Sequence, residues 1–200
     1  MNTFDAIAAR RSVKKFDPEH TMSEAEITQL MDAAILSPTA FNIQNWRFVV
    51  ITDQAVKDQF KAIGGNQAQF SDCSVLVVVC GDRQAYDQET ERYWANADEQ
   101  TREALVGMIR RHYGADEIHC RDENLKSGGM AAMTIMLAAK AMGYDSCPMS
   151  GFDFAKAAEI IKMPAHHDII MSVTVGKGVE SARTRGGQLG LDEVCFRDSF

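Results

Sequence analysis

Five consecutive aliphatic residues, Val75 to Val79, stand between Ser74 and Cys80, and Gly81-Asp82 follows them. A strand with one solvated face alternates apolar and polar side chains; an unbroken run predicts burial on both faces. The sheet that holds this strand must therefore be covered on both sides.

The neighbouring segments read as the covers. Ser23-Glu24-Ala25-Glu26 is a capping box, and Ile27, Leu30, Met31, Ala34 and Ile35 recur at helical spacing behind it. Pro38 keeps Ser37 out of the helical region, so that helix is expected to stop there. Thr3 is expected to cap a short helix with Phe4, Ile7 and Ala8 as its apolar positions. Asp53 caps another, carrying Val56, Phe60 and Ile63, which Gly64-Gly65 ends. Residues 84–113 are mostly helix formers with a break at Ala95-Asn96-Ala97-Asp98. From Leu125 to Met142 the positions Met130, Met133, Thr134, Leu137, Ala138 and Ala141 suit a helix buried nearly all round, closed by Gly143. Its methionines read as core. Asp153 caps a helix with Phe154, Ala157, Ala158, Ile160 and Ile161. Phe48–Ile51 reads as a buried strand, Ile169–Val175 as a further strand, and Asp145 to Gly151 as a short strand or turn. After Gly178 the chain turns polar; such a tail does not pack alone and is expected to be an arm held by a partner subunit.

Two hundred residues fit one domain. No apolar run approaches the roughly 20 residues that span a bilayer, and the first residues lack the basic-then-apolar order of a signal peptide. A cytoplasmic protein is expected. A net charge of −7 argues against a broad nucleic-acid surface. The five cysteines form no C-x-x-C pair and read as free thiols. His166-His167 follow Pro164 and read as exposed loop residues, with no metal-ligand pattern.

Two polar stretches carry the chemistry. Ser37 to Thr52 joins the end of a helix to a strand through hydroxyl and amide side chains, where small-molecule contacts are often mounted. Arg10, Arg11, Ser12, Lys14 and Lys15 cluster after the first helix, interleaved with Val13 and Phe16, which suggests an extended segment packed on one face. The cluster reads equally as a solvated basic patch or as an anion site in which guanidinium forks and a hydroxyl meet a phosphate.

Taken in order, four pieces resemble the FMN-dependent nitroreductase family. They are Arg10-Arg11-Ser12-Val13-Lys14 after a short helix, Ser37 to Trp46 before the first long strand, Cys147-Pro148-Met149-Ser150-Gly151 after the buried helix, and Arg183-Thr184-Arg185 in the tail. The resemblance implies an α+β fold, a central mixed but mostly antiparallel sheet wrapped by helices. It implies an intertwined homodimer with exchanged C-terminal arms (179–200) and an FMN in each interface groove. It also implies an oxidoreductase passing hydride from NADH or NADPH, through flavin N5, to a small-molecule acceptor such as a nitroaromatic or quinone by a ping-pong cycle. No side-chain nucleophile is implied. The alternatives are a flavin-binding or flavin-delivering protein without efficient turnover, or a specialised member performing reductive dehalogenation or flavin fragmentation.

Carried over motif by motif, Arg10, Ser12, Arg183 and Arg185 would hold the phosphate, and Arg11 would contribute mainly backbone contacts. Lys14 would lie at the pyrimidine edge of the flavin ring, with Asn66 and Gln69 nearby. Pro148, Met149, Ser150 and Gly151 would pass along one ring face. Pro38, Thr39, Ala40, Asn42 and Gln44 of the other subunit would line the opposite side. Residues 84–122 are where a helical lid would lie. Tyr86, Tyr93, Trp94 and Tyr113 there either contact ligand or simply pack helices. Ala40 and Asn45 replace a serine and a proline common in relatives, Ser150 an acidic residue and Gln69 a lysine found in some. Ala40, Phe41 and Asn45 are where substrate choice is expected to be decided.

Overall fold

The computed structural model describes residues 1–114 and 116–200. Four strands, β1 (Trp46–Ile51), β2 (Val75–Asp82), β3 (Asp145–Met149) and β4 (His167–Gly176), form a sheet in the order β1-β2-β4-β3. Every neighbouring pair is antiparallel. The parallel contribution is an isolated bridge, Ser12 to Ser146, with the Val13 N–H donating to the Ser146 carbonyl at 3.1 Å. The basic segment is thereby stitched to the outside of β3.

The aliphatic run does what its pattern requires. Val75 to Val79 are all fully buried. Val75, Val77 and Val79 face one core, against Ile27, Leu30 and Ala34 of α2 (Glu24–Ala34) and Ala132, Ile135 and Ala139 of α6 (Glu117–Ala141). Leu76, Val78 and Cys80 face the other, against Phe60 of α3 (Gln54–Ile63), Phe70 of α4 (Gln69–Asp72) and Ala157 of α7 (Phe154–Ile160). Each fully buried valine, leucine, isoleucine or phenylalanine among them contributes about 1.5–3 kcal/mol on leaving water. A third cluster, Ile43, Tyr93, Ile109, Tyr113 and Cys120, lies under α5 (Glu99–Tyr113) and the preceding 3₁₀ turn Thr90–Trp94.

Several local expectations need correction. Asn2, not Thr3, caps α1 (Thr3–Ala9), accepting from the Asp5 N–H at 3.0 Å. The face α1 buries is that of Ala6, while Phe4 is 83% exposed. β1 starts at Trp46 and is half-buried rather than enclosed; it is an edge strand, since among the described residues no strand pairs with it beyond β2. α6 begins at Glu117, eight residues before the expected start, and its buried face is that of Ala131, Ala132, Ile135, Met136 and Ala139. Met130 and Met133 point outward instead. A helix apolar on nearly all sides carries no periodic mark of which side meets the sheet. His166 and His167 are half-buried rather than exposed, since β4 begins at His167, which pairs with Asp82.

The capping box of α2 is present, and Glu26 does more than close it. One carboxylate oxygen accepts from the Ser23 N–H at 2.8 Å and the other from the Tyr144 hydroxyl at 2.6 Å. The Tyr144 bond first, then those of Ser23, hold the Glu26 pKa down at about 2. A carboxylate whose pKa is depressed by folding stabilises the native state above its ordinary pKa, and that stability is lost as pH falls toward 2. Tyr144→Phe is therefore expected to be less stable than the parent at neutral pH. The difference should shrink below the ordinary glutamate range and vanish near pH 2, read as urea midpoints across pH. A difference independent of pH would remove the Glu26 explanation.

Candidate functional site

The anion-site reading of the basic cluster depends on what the fold brings to it. Val13 and Phe16 are buried, so the segment lies flat with its polar residues turned outward. Phe16 bridges Gly178, which starts the tail back across the same surface. The result is a cavity of about 650 Å³. Arg10, Arg11, Lys14, Lys15, Arg183 and Arg185 all line it, and Glu180 is its single carboxylate. Ser12 and the buried Gln69 complete its polar wall. Two chain segments about 170 residues apart thus meet with six cations against one anion, a donor set suited to a phosphate dianion.

The tail is fastened here by its own arginines. Arg185 donates to the Ala8 carbonyl at 3.0 Å, and Arg11 donates to the carbonyl of Arg183. Lys15 pairs with Glu180. Lys14 Nζ lies 3.3 Å from Cys147 Sγ, which sets its ammonium beside the middle of β3. Pro148 and Met149 finish that strand, and Ser150 and Gly151 are exposed just beyond it. Gln67 was not among the expected site residues, yet its side chain donates to the carbonyls of Gly64 at 2.9 Å and Gly151 at 3.2 Å, tying two loops together. Asn66 is exposed with a left-handed backbone (φ 56°) at the end of α3.

The loop from Pro38 to Gln44 does not line this cavity within its own chain. It is nonetheless firmly built. Phe41, Asn42 and Gln44 all have positive φ (53°, 55° and 44°), a costly run for non-glycine residues that surrounding bonds must hold. The Thr39 hydroxyl accepts from the Gln44 N–H at 3.0 Å, and Asn42 donates to the Tyr93 carbonyl at 2.8 Å. The Trp94 indole N–H donates to the Phe41 carbonyl at 3.0 Å. The Phe41 ring packs on His112 at 5.3 Å. Tyr93, Trp94 and Tyr113 accordingly pack the helical segment and brace the loop. Asn45 turns inward: it is 1% exposed and donates to Asn124 at 2.8 Å. Its side chain is buried and ties the loop to α6.

The model of the nitroreductase family matches residues 7–177 of the chain. This protein belongs to the nitroreductase family. Protein DrgA of Synechocystis sp. is 50% identical over 182 residues, spanning 91% of this chain and 87% of DrgA. An oxygen-insensitive NADPH nitroreductase of Helicobacter pylori is 27% identical over 94% of this chain and 92% of its own length. Among solved structures, a chain from Exiguobacterium sibiricum crystallised in complex with FMN superposes with a TM-score of 0.90 at 27% identity, covering 98% of this chain and 97% of that one.

As in the nitroreductase fold, the α+β architecture and sheet resemble that neighbour almost end to end. The family match ends before Arg183 and Arg185, so the second arginine pair comes from a segment outside it. Burial pushes the thiols of Cys73 and Cys80 up to about 12, and Cys195 is the exposed one. No described helix is long and apolar enough to cross a membrane.

Proposed function

We propose that this chain is an FMN-dependent oxidoreductase that passes hydride from NADH or NADPH to a small electron acceptor, nitroaromatic or quinone in type, in a ping-pong cycle. The observation that carries the reading is the convergence of Arg10, Arg11, Ser12, Arg183 and Arg185 on one cavity. Its size lies within the range of cofactor sites. Arg10, Ser12, Arg183 and Arg185 would hold the FMN phosphate, with Arg11 in support through its backbone. FMN when bound supplies the hydride-accepting and hydride-donating chemistry. Lys14, fixed beside β3, would stabilise negative charge at the pyrimidine edge of the ring. Asn66 and Gln69 would contribute amides there, and Pro148, Met149, Ser150 and Gly151 would pass along one face.

A homodimer completes this reading. Phe4, Leu36, Met130 and Met133 are exposed apolar side chains of one chain, and Leu189, Leu191, Val194, Phe196 and Phe200 of the tail are likewise uncovered. An apolar surface of this kind fits a subunit interface. Pro38, Thr39, Ala40, Asn42 and Gln44 would then line the flavin of the partner, with residues 84–122 as the helical lid and 179–200 as an exchanged arm. Five free cysteines suit a reducing compartment such as the cytoplasm.

The test is an absorbance spectrum of the purified protein followed by anaerobic mixing with each nucleotide. Bound flavin that bleaches with NADH or NADPH and recolours on adding a quinone is expected. Flavin that neither nucleotide bleaches would overturn the reductase reading and leave a flavin-binding protein. A protein that stays colourless through an FMN titration would overturn the cofactor assignment.

A further inference from the structure

A second polar centre lies at the far end of β2, around Asp82, His166 and His167. Among the described residues it is the one group of three metal-ligating side chains whose ligand atoms come together, all within 4.8 Å of one another. None of the three lines the basic cavity. Adjacent residues of a strand face opposite ways, but His166 precedes β4 in a turn closed by the His167 N–H on the Pro164 carbonyl at 3.0 Å. Both rings are thereby brought to one place, their centroids 4.5 Å apart. A bulge in β4 opposite Val79 and Cys80 shifts the register that sets His167 across from Asp82.

We propose that Asp82, His166 and His167 form a binding site for a divalent transition metal of the zinc class. Two imidazoles and one carboxylate are a donor set that suits zinc, cobalt(II) or nickel(II) and supplies too few oxygens for magnesium or calcium. The carboxylate is already oriented. Arg47 donates to Asp82 Oδ2 at 2.9 Å, which leaves Oδ1 turned to the His166 Nε2 at 3.8 Å. That Oδ1 also accepts from the Gln84 N–H at 2.9 Å. His167 Nδ1 is buried and has no hydrogen-bond partner. Such a lone pair or N–H is costly to leave unmet, and coordination would satisfy it.

A tetrahedral ion with bonds of about 2.1 Å needs ligand atoms about 3.4 Å apart. The ligand atoms, within 4.8 Å of one another, would close by about 1.4 Å at most on binding, with the His166 side chain, 34% exposed, less confined than the buried carboxylate. His166 also lines a cavity of about 440 Å³ together with Arg83, Tyr113 and Cys120. That cavity meets the cluster at His166, the side from which an ion and a water molecule as fourth ligand would enter.

Untagged, flavin-loaded protein titrated with Zn²⁺, and with Co²⁺ for its visible absorption, tests the proposal. One ion per chain is expected. His166→Ala and His167→Ala should each weaken binding at least tenfold, and the milder His166→Gln should do the same if His167→Ala fails to fold. Flavin content, read from the same spectra, should be unchanged in His166→Ala, which keeps this result separate from the cofactor assignment. A control, His112→Ala with His119→Ala, removes the other close histidine pair, whose Nε2 atoms are 2.9 Å apart. No saturable binding by the parent, or binding that survives in His166→Ala and is lost in the control, would overturn the site.

Discussion

Arg10→Ala combined with Arg185→Ala should weaken FMN binding by about 10²–10⁴-fold. Each arginine is assigned a charge-assisted contact to the phosphate, worth about 1.5–3 kcal/mol. Loss of two gives about 3–6 kcal/mol, and every 1.4 kcal/mol is tenfold. The loss also has an indirect part. Arg185 donates to the Ala8 and Arg10 carbonyls, so its removal takes away one fastening of the tail and loosens Arg183 at the cavity, while the Arg11 bond to the Arg183 carbonyl and the Lys15–Glu180 pair stay. Flavin fluorescence during titration of the apoprotein reads the affinity. Lysine in place of each arginine should recover part of it, since the charge returns without the planar fork. An affinity equal to that of the parent would remove the phosphate assignment.

The second large effect is expected from Leu36→Glu combined with Met133→Glu, with every arginine intact. Both side chains are exposed in the single chain, 82% and 38%, so neither substitution opens a core cavity. In a two-fold interface each change appears twice and leaves carboxylates buried without partners, which is strongly destabilising. The protein should elute as a monomer that keeps its helical circular dichroism. It should also lose FMN by at least 10²-fold, because the loop from Pro38 to Gln44 serves the neighbouring flavin in this reading. A folded monomer that retains FMN would place that loop outside the flavin site. Together the two variants separate contacts made within one chain from those made across the dimer.

Much of the fold was legible because it depends on local signals. The Val75–Val79 run, the capping box at Ser23 and the Asp53 and Asp153 caps all stand in the structure where the chain pattern puts them, while α2 ends at Ala34, ahead of the stop expected at Pro38. Each involves residues within a turn or two, so spacing alone carries the physics. Errors arose where the choice was between faces. Nothing in the order of residues says that α6 offers Ala131, Ala132 and Ile135 to the sheet rather than Met130 and Met133, because both sides are apolar. The same holds for α1, where Ala6 and not Phe4 is buried. Asn45 looked like part of a ligand loop and proved to be a core hydrogen-bonding residue, a role set by Asn124 about eighty positions away.

The basic cluster shows the division most clearly. The residue types after α1 left a solvated patch and an anion site equally open, since both need only exposed cations. The tertiary structure brings Arg183 and Arg185 back across Phe16 and Gly178 to the same cavity, and that convergence favours the anion site. His166 and His167 show it again: the chain places them side by side, but only pairing of β4 with β2 sets Asp82 against them. By itself, then, the sequence determined where most helices and strands lie, though not all their ends, the need for a sheet covered on both faces, and the residue types available for chemistry. Only the tertiary structure decided which faces are inside and which distant side chains meet, because long-range contacts depend on register and packing rather than on spacing along the chain.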